Sequence, residues 1–322
     1  MQTYSERFRI YRKAMQPYLG SEAAIAQYNS FQEIEVHRFL LRVLQGPSKL
    51  SQPVQTEAGA IILKIAYGYI IEQDKRYPLV DMANLVMERF SIAGAPGAWL
   101  VDMVPILKYM PAWFPGAGFK RTAQEWKKQL ESVVDKPYAF VHRRMNSGKF
   151  QPSYLSNLFK ASGYPLAGSE EEIIAKSIPG SLILATVSSI ETFFLAMTLF
   201  PEVQRKAQEE IDQVLGGRLP AVADRDLDVV VFPGLFLAHV TVYLSIARSF
   251  ALFNVYKACE YGKEVEVKPE FQAGVNSHPV PRTFNVTPRS PSQEALILSV
   301  EKEYPLEESD APDLKNVSNN PF

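Results

Sequence analysis

An uncharged stretch at residues 229–247 limits what this chain can fold into more than any other feature of its sequence. The stretch contains no Asp, Glu, Lys or Arg and is close in length to a membrane span. However, Pro233 and Gly234 interrupt it near its start, and the apolar residues that follow recur with the period of a buried helix. We therefore predict a core helix after Gly234 and keep a membrane span as the alternative.

The remaining pattern predicts a mainly α protein with a small β portion. Helical periodicity covers four ranges before residue 201: 4–45, 58–72, 79–91 and 170–200. Pro201 begins a further helix, which Gly216 ends. Alternating residues at 264–267 and 283–286 predict short strands, and they follow a helix whose end we place near Cys259.

A long polar helix is predicted from about Lys120. Trp126, Leu130 and Val133 recur with helical spacing and mark its inner face. Residues 105–118, which precede it, are dense in proline and glycine and therefore predict repeated turns.

Composition and residue spacing exclude several functional classes. The chain has 34 Lys plus Arg and 35 Asp plus Glu, so it carries no strong field that would attract nucleic acid, and we predict no nucleic-acid partner. Its single cysteine cannot form an internal disulfide. The four histidines are scattered along the chain: His37, His142, His239 and His278. None pairs with another at metal-ligand spacing, so the pattern alone predicts no catalytic constellation.

Four segments nevertheless carry a specific resemblance. Residues 199–226 begin Leu-Phe-Pro-Glu-Val-Gln-Arg-Lys-Ala-Gln-Glu-Glu-Ile. They resemble the helix that follows the distal helix of cytochrome P450, the family of haem-thiolate monooxygenases. Residues 187–198 resemble the second half of that distal helix, and residues 232–238 resemble the start of the proximal helix. Residues 105–121 are similar to the central region of a fungal microsomal branch of the family.

This resemblance implies an incomplete copy of the family's domain. We expect a partial cytochrome P450 fold over residues 1–300 and an acidic, disordered tail over residues 301–322. Relative to the family pattern, the N-terminal anchor, the Glu-x-x-Arg helix and the cysteine loop are missing. The chain passes directly from Asp226 to Phe232 where the family has a long stretch. Because both flanks remain similar to the family, the gap resembles a lost coding segment.

The resemblance also points to individual site residues. Phe232 stands where the family has the cysteine that binds the haem iron, and a phenyl ring offers iron no lone pair. Gly234 belongs to the Pro-Gly pair that follows this position. Thr186 is the candidate for the distal-helix threonine that delivers protons to bound oxygen, and the alternative is an ordinary helix threonine. Arg12 keeps the guanidinium that contacts a haem propionate in the family, and the alternative is a solvated surface arginine.

By resemblance, the expected activity is haem-dependent monooxygenation of an apolar small molecule, with electrons from an NADPH-dependent reductase. The family resides at the endoplasmic-reticulum membrane, and the missing anchor predicts a cytoplasmic or membrane-associated chain. Because Phe232 replaces the iron ligand, we expect this copy to be inactive as written. The alternative is a non-catalytic remnant, or the product of a mis-joined gene, that binds no haem.

Overall fold

The fold is mainly α-helical, with a small β portion, as predicted from the sequence. A computed structural model describes residues 6–48, 50–71, 78–95, 97–181, 186–226, 236–272 and 278–315. These residues divide into two compact units. The first takes its residues from Met1–Ile62, Ala185–Glu270 and His278–Glu307, and the second from Leu63–Leu184, Phe271–Ser277 and Glu308–Phe322.

The helices of the described ranges are as follows: α1 Glu6–Leu19, α2 Glu22–Ile25, α3 Asn29–Gln45, α4 Ser51–Tyr67, α5 Pro78–Ala93, α6 Leu100–Met103, α7 Phe119–Asn146, α8 Tyr154–Ser162, α9 Glu170–Ser181, α10 Thr186–Leu199, α11 Pro201–Leu215, α12 Phe236–Leu252, α13 Pro291–Leu298, α14 Val300–Glu303 and α15 Ala311–Lys315. The prediction for α11 is confirmed at both ends. Pro201 is its first residue, and Gly216 follows it in the left-handed conformation with φ 60°.

Helix α12 is the centre of the first unit, where it contacts α3, α10 and α11. Residues 240–253 are buried without interruption, so this helix is covered on all sides by protein. The aromatic ring of Phe250 packs edge-on against Phe193 at a centroid distance of 5.0 Å. The prediction of a core helix after Gly234 is therefore confirmed. Among the described helices, none is both long enough and apolar enough to cross a membrane.

The buried polar residues of α12 have partners on neighbouring helices of the same unit. Thr241 donates a hydrogen bond from Oγ1 to Oε1 of Gln32 at 2.8 Å, and Ser245 donates from Oγ to Oε1 of Glu57 at 2.6 Å. Such partners are expected because an unpaired polar group in a protein interior costs free energy. They also align α12 with α3 and α4.

A two-stranded antiparallel sheet follows α12 directly. Strand β1 (Phe253–Lys257) pairs with the fourth strand, β4 (Phe284–Pro288), with Val255 opposite Val286. The prediction of a strand near 283–286 is confirmed. The prediction that Cys259 ends a helix is wrong, because α12 stops at Leu252 and Cys259 lies in a short strand further along the chain.

A short hairpin completes the β portion. Strand β2 (Cys259–Glu260) pairs antiparallel with β3 (Lys263–Glu264). Its turn has positive φ angles at Tyr261 (50°) and Gly262 (78°), which match the twist of a two-residue hairpin. The strand predicted at 264–267 is therefore short, and only its first residue is paired in the sheet.

Helix α7 is the centre of the second unit, where it contacts α5, α8, α9 and α15. Its second half carries the buried aromatic residues of this unit. Tyr138 packs edge-on against Phe159 of α8 at 5.5 Å, and Phe140 packs in the same way against Tyr69 at 5.3 Å. Its first half presents an apolar face that forms a groove.

The acidic segment from residue 301 was predicted to be disordered: residues 304–308 are exposed and outside any helix or strand, whereas Asp310 and α15 pack in the second unit. Asp310 is buried and accepts a hydrogen bond from the backbone N–H of Ile70 at 2.9 Å. Its carboxylate also forms an ion pair with Arg144 of α7. Leu314 of α15 is buried as well. Acidic composition predicted a solvated segment, but these side chains pair with groups that lie far away in the sequence.

Candidate functional site

A broad groove lies between α5, α7 and α9 in the second unit, with a volume of about 780 Å³. This volume falls within the range of roughly 300–1,000 Å³ that is usual for small-molecule pockets. Its walls are mainly apolar, with these residues contributing: Val86, Met87, Phe90, Trp126, Leu130, Val134 and Ile173. Phe90, Leu130 and Ile173 keep 46%, 50% and 43% of their surface exposed, so the groove is open along its length.

Charged residues interrupt the apolar wall at three places, one of which is the ion pair of Lys127 with Glu131 at 3.7 Å. Lys176 of α9 pairs with Asp135 of α7 at 2.8 Å and with Glu172 at 2.9 Å. Burial lowers the pKa of Lys176, but the hydrogen bonds to the two carboxylates outweigh burial and raise the pKa above its usual value. This lysine is therefore a cation whose charge is already neutralised.

Arg89 of α5 is the third interruption. Its guanidinium lies over the Trp126 ring at 5.7 Å, and Nη1 lies 3.9 Å from Oε1 of Glu125. That distance is too long for a hydrogen bond, and Nη1 is buried with no hydrogen-bond partner among the described residues. The guanidinium therefore keeps donor capacity that the surrounding protein leaves unused.

The residues assigned by resemblance lie elsewhere. Thr186 is the first residue of α10 and Arg12 lies within α1, but the side chains of both are outside the described part of the structure. Phe232 and Gly234 lie outside the described residues altogether. No contact among these four residues is therefore described, and their roles remain predictions.

The sequence match decides the family. The family described as Cytochrome P450 matches residues 3–227, which is more than half of the chain. The chain belongs to the cytochrome P450 family. The match ends at residue 227, five residues before Phe232.

Several fungal cytochrome P450 enzymes are similar to this chain. Cytochrome P450 monooxygenase 208 of Postia placenta is 33% identical over 92% of this chain and 75% of its own length. Cytochrome P450 monooxygenase claR of Ampulloclitocybe clavipes is 34% identical over 97% of this chain and 74% of its own length. Cytochrome P450 monooxygenase ppsD of Aspergillus oryzae is 32% identical over 96% and 76%.

The alignments with these relatives are longer than the chain itself. The aligned stretches span 389 and 403 residues in the first two comparisons, whereas the chain has 322 residues. Positions of these relatives therefore have no counterpart in this chain.

The described residues do not fit the haem that the family implies. A thiolate from this chain could come only from Cys259, since the sequence has no other cysteine. Cys259 is exposed in the β2–β3 hairpin, where it pairs with Glu264.

His239, which lies about two helical turns beyond Phe232 in the sequence, is a poor substitute ligand. Its Nε2 is buried and has no hydrogen-bond partner among the described residues. Burial is the main cause that lowers the pKa of His239, followed by the charge of Arg225. The imidazole is therefore neutral, but an already buried Nε2 offers iron no open approach.

Part of the groove was accessible to sequence reasoning. The stripe of Trp126, Leu130 and Val133 on α7 was predicted, and all three residues line the groove. Sequence reasoning missed Arg89, because one arginine on a polar helix face carries no signal of its position. Arg89 directly precedes the apolar residue Phe90 in the sequence. This position places Arg89 near the boundary between the polar and the apolar face of α5, but it does not predict which groups Arg89 contacts.

Proposed function

We propose that this cytochrome P450 family member binds an apolar small molecule in the groove between α5, α7 and α9, and that it holds no thiolate-ligated haem. It therefore does not catalyse monooxygenation by itself. The second part of this proposal rests on the resemblance that aligns Phe232 with the family's iron-binding cysteine. It is supported by the position of the single cysteine of the sequence, Cys259, which lies exposed in a hairpin.

The chemical reason is the electron donor that iron needs. In this family a cysteine thiolate pushes electron density towards iron and favours cleavage of the O–O bond. Phenylalanine cannot supply that density. An NADPH-dependent reductase would then find no thiolate-bound iron to reduce, so we expect no reductase-dependent consumption of NADPH by this chain.

Haem reconstitution tests the proposal. We expect purified protein incubated with haemin to show no thiolate-type Soret band after reduction and addition of carbon monoxide. The Postia placenta relative serves as the positive control. The variant Phe232→Cys is also expected to show no such band, because the loop before this position is missing as well. Retention of haem by the unmodified protein through gel filtration would contradict the proposal.

The alternative function is that of a remnant without any ligand. The open apolar groove favours the binding protein over the remnant, since exposed apolar patches of this kind usually mark a binding surface. Titration with apolar probes separates the two. Saturable binding that Leu130→Glu abolishes supports the proposed function, whereas absence of saturable binding supports the remnant.

We further propose that this chain associates with membrane surfaces through an exposed segment, residues 100–114. Large apolar side chains of this segment face solvent, with these exposed fractions: Leu100 55%, Met103 66%, Ile106 61%, Tyr109 79% and Trp113 80%. Trp and Tyr side chains are enriched where proteins meet the headgroup region of a bilayer. Lys108 lies within this segment and Lys120 follows it, and both positive charges favour anionic lipids.

Vesicle binding tests this surface. The double variant Ile106→Glu/Trp113→Glu is expected to weaken binding to anionic vesicles about tenfold or more, since it removes two apolar side chains and adds two negative charges. Leu166→Glu is the matched control, because Leu166 is 81% exposed in the same unit but lies outside the segment. Co-sedimentation gives the measurement. Equal binding of the two variants would refute the surface.

A further inference from the structure

We propose that Arg89 makes the groove selective for amphipathic ligands that carry a carboxylate at one end of a long apolar body. This inference rests on the proposed function, because it names the ligand class of the same groove.

The charge balance of the groove is the first step. Five charged residues line it: Arg89, Lys127, Glu131, Asp135 and Lys176. Four of them are paired with each other, since Lys176 lies 2.8 Å from Asp135 and Lys127 lies 3.7 Å from Glu131. Lys176 is also paired with Glu172 at 2.9 Å, so Arg89 is the lining cation whose charge no carboxylate of the lining offsets. A ligand carboxylate placed beside Arg89 therefore complements the charge at that end of the groove.

The environment of Arg89 supports the same ligand charge. The carboxylate nearest to it belongs to Glu125, which is 65% exposed, does not line the groove and lies 3.9 Å away. Water screens such an exposed pair, so Glu125 neutralises Arg89 only in part. The Arg89 side chain keeps 21% of its surface exposed. Nη1 itself is buried, so a carboxylate meets this side chain at its exposed part, where a guanidinium donates charge-assisted hydrogen bonds.

Trp126 limits where that carboxylate sits. Its ring lies 5.7 Å from the Arg89 guanidinium and packs edge-on against Trp99 at 5.5 Å. A guanidinium that stacks on an aromatic face keeps its N–H groups directed outward, in the plane of the fork. The head of the ligand is thereby placed beside Trp126, at one wall of the groove.

The apolar wall determines the rest of the ligand. Phe90, Leu130 and Ile173 come from three different helices and are each more than two-fifths exposed. A flexible hydrocarbon chain covers such a discontinuous wall better than a compact polar molecule does. Burial of this wall supplies the affinity, and the carboxylate supplies the orientation. A long-chain fatty acid combines both features.

The test compares two probes with the same hydrocarbon tail, oleate and oleyl alcohol, by calorimetric titration of the full chain. We expect the unmodified protein to bind oleate at least tenfold more tightly than the alcohol, as a charge-assisted hydrogen bond predicts. Arg89→Met is expected to remove this preference and to leave binding of the alcohol within about twofold. Arg89→Lys is expected to retain part of it. Arg121→Met, an exposed change on α7 outside the lining, is expected to retain all of it.

Each result has a defined meaning. Equal affinity of the unmodified protein for oleate and oleyl alcohol would overturn the role of Arg89 and leave the apolar groove intact. Failure of both probes to bind would overturn the proposed function together with this inference. If Arg89→Met weakened both probes equally while its thermal unfolding was unchanged, Arg89 would shape the wall and not select the carboxylate, which also overturns the proposal.

Discussion

Replacement of Arg248 by methionine is expected to lower the free energy of unfolding by about 3–5 kcal/mol, as removal of one partner from a buried charged network does. Arg248 lies in α12, and its side chain is only 6% exposed. Its Nε donates to the carbonyl oxygen of Pro220 at 2.8 Å, and Nη1 donates to the carbonyl oxygen of Glu33 at 2.6 Å. Nη2 also lies 3.6 Å from the Glu33 carboxylate.

The size of this effect follows from the loss of the hydrogen-bond donors that Arg248 supplies. Methionine has nearly the same length as arginine but no donor, so two carbonyl oxygens lose hydrogen bonds close to the core. Burial lowers the pKa of Arg248, and the nearby carboxylate of Glu33 opposes that shift. The guanidinium therefore stays charged and needs these partners in the folded state.

Urea unfolding followed by circular dichroism measures the change. Arg205→Met is the matched control, because Arg205 is an exposed arginine of α11 that pairs with Glu202 and Glu209. Exposed ion pairs contribute little to stability, so the midpoint of this control is expected to stay nearly unchanged. Similar midpoints for the two variants would show that Arg248 does not hold the first unit together.

Replacement of Glu57 by glutamine is expected to raise the free energy of unfolding, by an amount that grows with pH. Glu57 lies in α4 and is fully buried. Burial is the main cause that raises the pKa of its carboxyl well above the usual value, although the hydrogen bond from Ser245 opposes the shift. The protein therefore folds around a carboxyl group that prefers to remain protonated.

The direction of the pH effect follows from proton binding. The folded-state pKa of Glu57 lies above that of the unfolded chain, so the folded state binds more protons between the two values. Its stability contribution is complete below the unfolded pKa and is lost as pH rises through the folded pKa. Within that window the loss is at most about 1.4 kcal/mol per pH unit. Glutamine has the same shape and does not titrate.

Unfolding curves of both proteins at increasing pH measure this gain. Glu202→Gln is the matched control, because the Glu202 side chain is 77% exposed. The control and the unmodified protein are expected to follow the same pH dependence. Should Glu57→Gln also follow it, the Glu57 carboxyl would be ionised or hydrated in the folded protein.

The sequence predicted an element correctly where that element depends on residues that are close to it in the sequence. Proline and glycine mark the ends of α11, and the uncharged stretch gives α12, because both features act within a few residues. The strand β1 was missed because it follows Leu252 without a proline or glycine, so helical periodicity continues into it. Its strand conformation depends on pairing with β4, about thirty residues later.

The function of the groove could likewise not be predicted from residues that are close in the sequence. The spacing of apolar residues predicted the apolar stripe on α7, but it did not predict that this stripe lines a groove. A stripe of this kind usually meets a covering helix, whereas here Leu130 keeps half of its surface exposed. Only the relative placement of α5, α7 and α9 shows that three apolar faces leave a space between them. The structure must also show which of the other lining charges form ion pairs before the charge of Arg89 can indicate a ligand.

The attachment of Asp310 has a consequence for synthesis of the protein. Asp310 follows Ile70 by 240 positions, yet the two residues share hydrogen bonds within one compact unit. A ribosome that has translated α4 to α9 has therefore not yet supplied the carboxylate that pairs with Arg144. During translation the Ile70 amide and the Arg144 guanidinium remain in water, and this unit completes its packing only after most of the chain has emerged.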